Sequence, residues 1–112
     1  MASAAQVRRL ALALPEASEE PHFELTSFRV RGKIFATMPP EGGRVHVFVA
    51  PSDVEGYCAE YPAIVEELLW GAKVRGVRVE LRSAPAALLR ELLTEAWMGK
   101  APVRLRAQLA VP

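Results

Sequence analysis

The sequence predicts an α+β domain of two layers, an antiparallel sheet of about five strands with helices packed on one face. Three observations predict it. A period of two runs through residues 28–38, 44–50 and 77–82, the period of half-buried strands. Apolar residues recur at helical spacing near both ends of the chain, through 7–14 and 88–97. The resulting order, helix, three strands, helix, two strands, helix, is the α+β arrangement and not the regular strand-helix alternation of a parallel sheet. A chain of 112 residues with 51% hydrophobic and 24% charged residues has the size and balance of one globular domain, here residues 1–112.

Ser3 and Gln6 form a capping box, and Val7, Leu10, Ala11 and Leu14 then share one helix face until Pro15. EASEEPHFELT, with four acids and Pro21, reads as a connector whose Phe23 and Leu25 tuck under the fold. Phe28 and Val30 alternate with Arg29 and Arg31, Gly32 interrupts, and Ile34, Ala36 and Met38 alternate with their neighbours, which predicts a tight hairpin around Arg31 and Gly32. After the PPEGG loop, Val45, Val47 and Val49 form a third strand. Ser52 and Glu55 read as a second capping box opening a short helix that Pro62 ends. Within IVEELLW only the later part reads as a strand, and Val77, Val79 and Leu81 mark the next. From Ser83 and Pro85 a helix buries Leu88, Leu89, Leu92, Leu93, Ala96 and Trp97 and closes at Gly99, leaving a last helical turn and a frayed end.

No window holds eighteen consecutive apolar residues, and Arg8 and Arg9 stand where a secretory apolar segment would begin, so the sequence reads as cytoplasmic and not membrane-bound. One cysteine and two well-separated histidines give no disulfide and no material for a metal site, and no cofactor is expected. His22 beside Glu19 and Glu20 lacks a nucleophile and an orienting group, so no catalytic residue is assigned and the chain does not read as an enzyme. His46 reads as a surface or packed histidine, Cys58 as a small buried hydrophobe, and Trp70 and Trp97 as core or seam residues.

The net charge is only +1, but its distribution is uneven. Residues 29–50 hold four basic residues against one acid and residues 71–112 eight against three, whereas 51–70 hold five acids and no base. Each basic block contains one of two echoing stretches, RVRGK at 29–33 and KVRGVRV at 73–79.

EEPHFELTSFRVRGKIFATM at 19–38, FVAPSDVE at 48–55, and LWGAKVRGVRVEL through LLTEAWMGKAPVRL at 69–105 together resemble the MmcQ/YjbR family of small bacterial proteins. The most specific parts are the glycine-turned hairpin and the pairs Ala96-Trp97 and Ala101-Pro102. Where many members carry a tryptophan in the strand at 77–82, this chain has Gly76 and Val77. The resemblance implies a two-layer fold related to type III secretion chaperones, and DNA binding through a double-wing arrangement.

On the solvent side of one sheet, Arg29, Arg31, Arg78 and Arg82, joined by Lys33, would neutralise phosphates of duplex DNA, and Lys73 and Arg75 would form a mobile basic loop around Gly71 and Gly76. With no asparagine and only Gln6 and Gln108, base-specific readout is not expected. The plainer alternative is that these are ordinary wet-face charges, balanced by Glu80, with Arg104 and Arg106 on a solvated tail. A rival reading is a protein-interaction or chaperone-like module, monomer or homodimer, that holds a protein partner on the sheet face through Phe35 and Phe48.

Overall fold

The computed structural model describes residues 2–110. Helix α1 (Ala4–Leu12) is capped by Ser3, whose hydroxyl accepts from the Gln6 N–H at 3.2 Å, and it buries Val7 and Ala11 as the spacing predicts. Strands β1 (Ala17–His22), β2 (Leu25–Val30), β3 (Lys33–Met38) and β4 (Arg44–Val47) follow. Then come helix α2 (Pro51–Glu60), strands β5 (Val65–Trp70) and β6 (Lys73–Glu80), a 3-10 turn at Leu81–Ser83, and helices α3 (Ala86–Lys100) and α4 (Val103–Ala110). The sheet is antiparallel in the order β1-β2-β3-β4-β6-β5.

The sheet therefore has six strands where five were expected. The extra one is β1, built from the acid-rich stretch read as a connector. Its residues pair from Ala17 with Val30 to His22 with Leu25, yet Ser18 through Pro21 are all exposed. An edge strand with no buried face carries no apolar alternation, so nothing in its pattern marks it as a strand. Phe23 is likewise not tucked under the fold: it occupies the β1–β2 turn and is 94% exposed.

Register explains the division of the sheet into faces. Phe28, Ala36, Val47 and Val77 stand side by side across four strands, with Val45 and Val79 beside them, and all are fully buried under the helices. Helix α3 supplies Leu88, Leu89, Leu92, Leu93, Ala96 and Trp97 to this layer, the six residues its periodicity picks out. Trp97 donates its indole N–H to the Pro15 carbonyl at 3.0 Å, fastening α3 to the link between α1 and β1. Helix α2 packs on β5 and β6, and the Tyr57 hydroxyl donates to Glu91 of α3 at 2.8 Å.

Local chemistry departs from expectation at two more places. The Ser52 and Glu55 capping box does not form; α2 starts two residues earlier, with Pro51 in its first turn and Ala50 as an N-cap without side-chain bonding. A proline at that position presents no orphan N–H, so the helix start needs one cap fewer. The single helical turn expected in the last dozen residues is the longer helix α4, held by Leu105, which is 1% exposed; Arg104 and Arg106 lie on it, and of the expected frayed end residues 111–112 lie outside the described residues.

Candidate nucleic-acid interface

The hairpin between β2 and β3 turns through Arg31 (φ +51°) and Gly32 (φ +80°), the paired left-handed residues of a type I′ turn. Arg31 thus sits in the turn and not on a sheet face. Its guanidinium grips Glu16 with two hydrogen bonds, Nε to Oε1 at 2.5 Å and Nη2 to Oε2 at 3.2 Å, and this bonding holds the Glu16 carboxyl below its ordinary value. Arg29 is half-buried; Nε donates to Ser27 Oγ at 2.9 Å and Nη2 to the Pro21 carbonyl at 3.2 Å, stapling β2 to β1. Arg78 donates to Glu66, its cross-strand neighbour, at 2.7 Å. Arg82 lies in the 3-10 turn beyond the end of β6.

These placements correct the expected basic face. Arg29 and Arg78 do share the face opposite Phe28 and Val77, but the row across that face reads Glu20, Ser27, Thr37, His46, Arg78, Glu66, with an acid at each end. Both arginines there already have partners within the chain, and the charge of Arg78 is offset by Glu66 before any phosphate arrives.

His46, in the middle of the row, lies 3.4 Å from Thr37 Oγ1, and burial followed by the fields of Arg78 and Arg44 pushes its pKa below the ordinary histidine value. The unfolded chain then binds a proton that the folded chain refuses. Stability is therefore full above about pH 6.5 and falls as pH drops through the unfolded value toward the folded one. Thermal midpoints measured between pH 7.5 and 5 should decline by less in His46→Gln than in the native chain; equal declines would show that His46 is not the group responsible.

The remaining cations gather elsewhere. Because β3 starts where β4 ends, and the end of β4 lies beside the first half of β6, the β2–β3 and β5–β6 turns project from the same end of the sheet. Lys33 sits on the first of these wings, Lys73 and Arg75 on the second, and among the described residues none of the three is in an ion pair. Lys73 and Arg75 belong to β6 itself, so the expected mobile loop is a short turn at Gly71 and Ala72. Between the wings lies a groove of about 870 Å³, whose lining runs from His22 and Phe23 past Lys33 and Ile34 to Phe48, Trp70 and Arg75, with Gly99 and Lys100 from the end of α3. No Asp or Glu lines it.

The aromatic residues lie otherwise than the sequence implies. Phe35 is fully buried in the core and cannot anchor a partner. Trp70, expected in the core or at a helix-sheet seam, is 56% exposed; its ring meets Phe48 edge-on at 6.0 Å, and the Arg75 guanidinium lies 4.7 Å from the ring centroid, a cation–π contact. Phe23 stands out in the β1–β2 turn with the His22 ring 4.8 Å away. A signal was available for Trp70, which directly precedes a glycine turn, where side chains project from the sheet end. None was available for Phe23.

A family model described as YjbR matches residues 12–98. This chain belongs to the YjbR family. The YjbR match takes in both wings and most of the groove lining, and stops two residues before Lys100. The crystal structure of Deinococcus radiodurans protein DR2400, with the family-model domain DUF419, is similar over 100% of this chain and 91% of its own, with a TM-score of 0.77 and 22% identity, a likeness of fold. No curated protein matches the chain. Among the described residues no helix is long and apolar enough to cross a membrane, and no three His, Cys, Asp or Glu side chains cluster as metal ligands.

Proposed function

We propose that this YjbR-family chain is a weak, sequence-nonspecific DNA-binding module, and not a catalyst, that engages phosphate through its two wings. The observation that carries this reading is the meeting of Lys33, Arg75 and Lys100 around one groove with no carboxylate in its lining, with Lys73 beside them on the second wing. Cations held without an internal acid partner exchange only water and counterions for phosphate. Of the sheet-face arginines, Arg78 has its charge offset by Glu66 and Arg29 is held in the staple of β2 to β1. The glutamines, Gln6 on α1 and Gln108 on α4, are remote in sequence from the wings, which favours contacts to the backbone over base edges.

A second reading, a protein partner held in the same groove, draws on the exposure of Phe23 and Trp70 in its lining. Fluorescence anisotropy of labelled duplex DNA at several salt concentrations separates the two. Three wing cations predict a slope of log affinity against log salt of about −3. Replacing Lys33, Lys73 and Arg75 together with glutamate should lower affinity about tenfold or more at low salt. Arg78→Ala with Arg82→Ala should leave it unchanged. Absence of binding at low salt, or binding indifferent to the wing charges, would discard the DNA reading and turn attention to a protein ligand.

A further inference from the structure

Building on the DNA reading, we infer that the groove between the wings binds single-stranded DNA, stacking unpaired bases on Phe23 and on the Trp70–Arg75 pair while Lys33 and Lys100 hold phosphates.

The first observation is the state of Phe23. Its φ of +58° falls in the left-handed region, where a Cβ is penalised and glycine is the favoured residue. At 94% exposure the ring contributes nothing to the core. A large ring kept in a backbone conformation that disfavours it, on the lining of a groove, points to use by a ligand. The second observation is independent of the first. Trp70 is more than half exposed and is held in place by Phe48 at its edge and by the Arg75 guanidinium over its ring. That guanidinium is itself a flat, cationic surface on which a base stacks.

The chemistry of the occupant follows from the lining as a whole. Flat aromatic surfaces select flat rings, and Lys33, Arg75 and Lys100 without any acid select an anion. A strand of DNA with unpaired bases offers both in alternation. In a duplex the base faces are covered by their neighbours, so a double helix would meet the cations alone and leave both aromatic platforms unused. Stacking is tolerant of base identity, in keeping with the absence of base-edge readers.

The test compares a labelled oligothymidylate of about twelve nucleotides with a duplex of equal length, by anisotropy at one low salt concentration. The oligothymidylate should bind more tightly than the duplex and quench the fluorescence of Trp70. Phe23→Gly and Trp70→Ala should each weaken oligothymidylate binding about tenfold and leave duplex binding unchanged. Phe23→Gly suits the turn geometry, so it cannot lose binding through misfolding; circular dichroism checks Trp70→Ala. The wing-charge variant, by contrast, should weaken both probes. If both probes bind but neither aromatic variant separates them, the stacking role is wrong and the wing reading stands. If neither probe binds, both readings fall.

Discussion

Replacing Gly76 with alanine will destabilise the domain by roughly 2–6 kcal/mol, the sum of backbone strain and overpacking at one position. Gly76 lies in β6 with φ +158°, and a Cβ there would land on the Val47 carbonyl oxygen, well inside van der Waals contact, and 2.9 Å from Phe48 Cα. Both obstacles are backbone at the end of β4 and the residue after it, so no side chain can swing aside to relieve them. Relief requires β4 and β6 to part, which breaks the pairing that runs from Val47 with Val77 to Arg44 with Glu80. A domain of this size has a stability of about 5–15 kcal/mol, so the loss is a large share of the whole. Gly71→Ala is the control: φ is +63°, but nothing lies within 4 Å of the added atom, and only about 1–2 kcal/mol of left-handed strain applies. Urea midpoints of the two variants decide the matter; equal small losses would mean that β4 yields easily. Because Phe48 follows directly after Val47, Gly76→Ala also disturbs the groove.

Trp97→Ala will cost about 3–5 kcal/mol, the usual range for emptying a fully buried tryptophan site. The indole is completely covered and ties α3 to the Pro15 carbonyl at 3.0 Å, so truncation leaves both a cavity and an acceptor without its donor. Trp97→Phe keeps most of the volume and loses the bond, and should cost about 1–3 kcal/mol. The ordering of the two in urea melts is the check. If Trp97→Phe were as damaging as Trp97→Ala, the hydrogen bond to Pro15 and not the packing would dominate.

The helical core and the central strands were legible because their residues alternate against a single buried layer. The six buried positions of α3 and the valines of β4 and β6 follow directly from periods of 3.6 and 2. β1 was not legible, since a strand exposed along its length has no periodicity to read. The arginine assignments failed for a different reason. Alternation tells which face a side chain takes but not which acid waits for it: Glu16 reaches Arg31 across 15 positions, and Glu66 reaches Arg78 across 12. The echo of RVRGK in KVRGVRV marks two hairpins that end at the same place, not one continuous basic face. Phe23 and Trp70 are found outside because a default inward assignment of hydrophobic residues ignores turns, and of the two only Trp70 stands before a glycine that marks one in the sequence.

The two edges of the sheet differ in a way that bears on self-association. β1 presents Glu19 and Glu20 and contains Pro21, which has no N–H to offer an incoming strand, whereas β5 carries a bulge between Leu68 and Leu69 and ends in exposed apolar residues. Open-ended fibre growth through a sheet needs a donor edge on one molecule and an accepting edge on the next. With β1 blunted in this way, strand pairing between copies would have to join β5 to β5, a two-fold encounter that is complete at two chains. The acids that hid β1 from its own sequence pattern thus act as a chain terminator, keeping a six-stranded sheet from becoming the first layer of an aggregate.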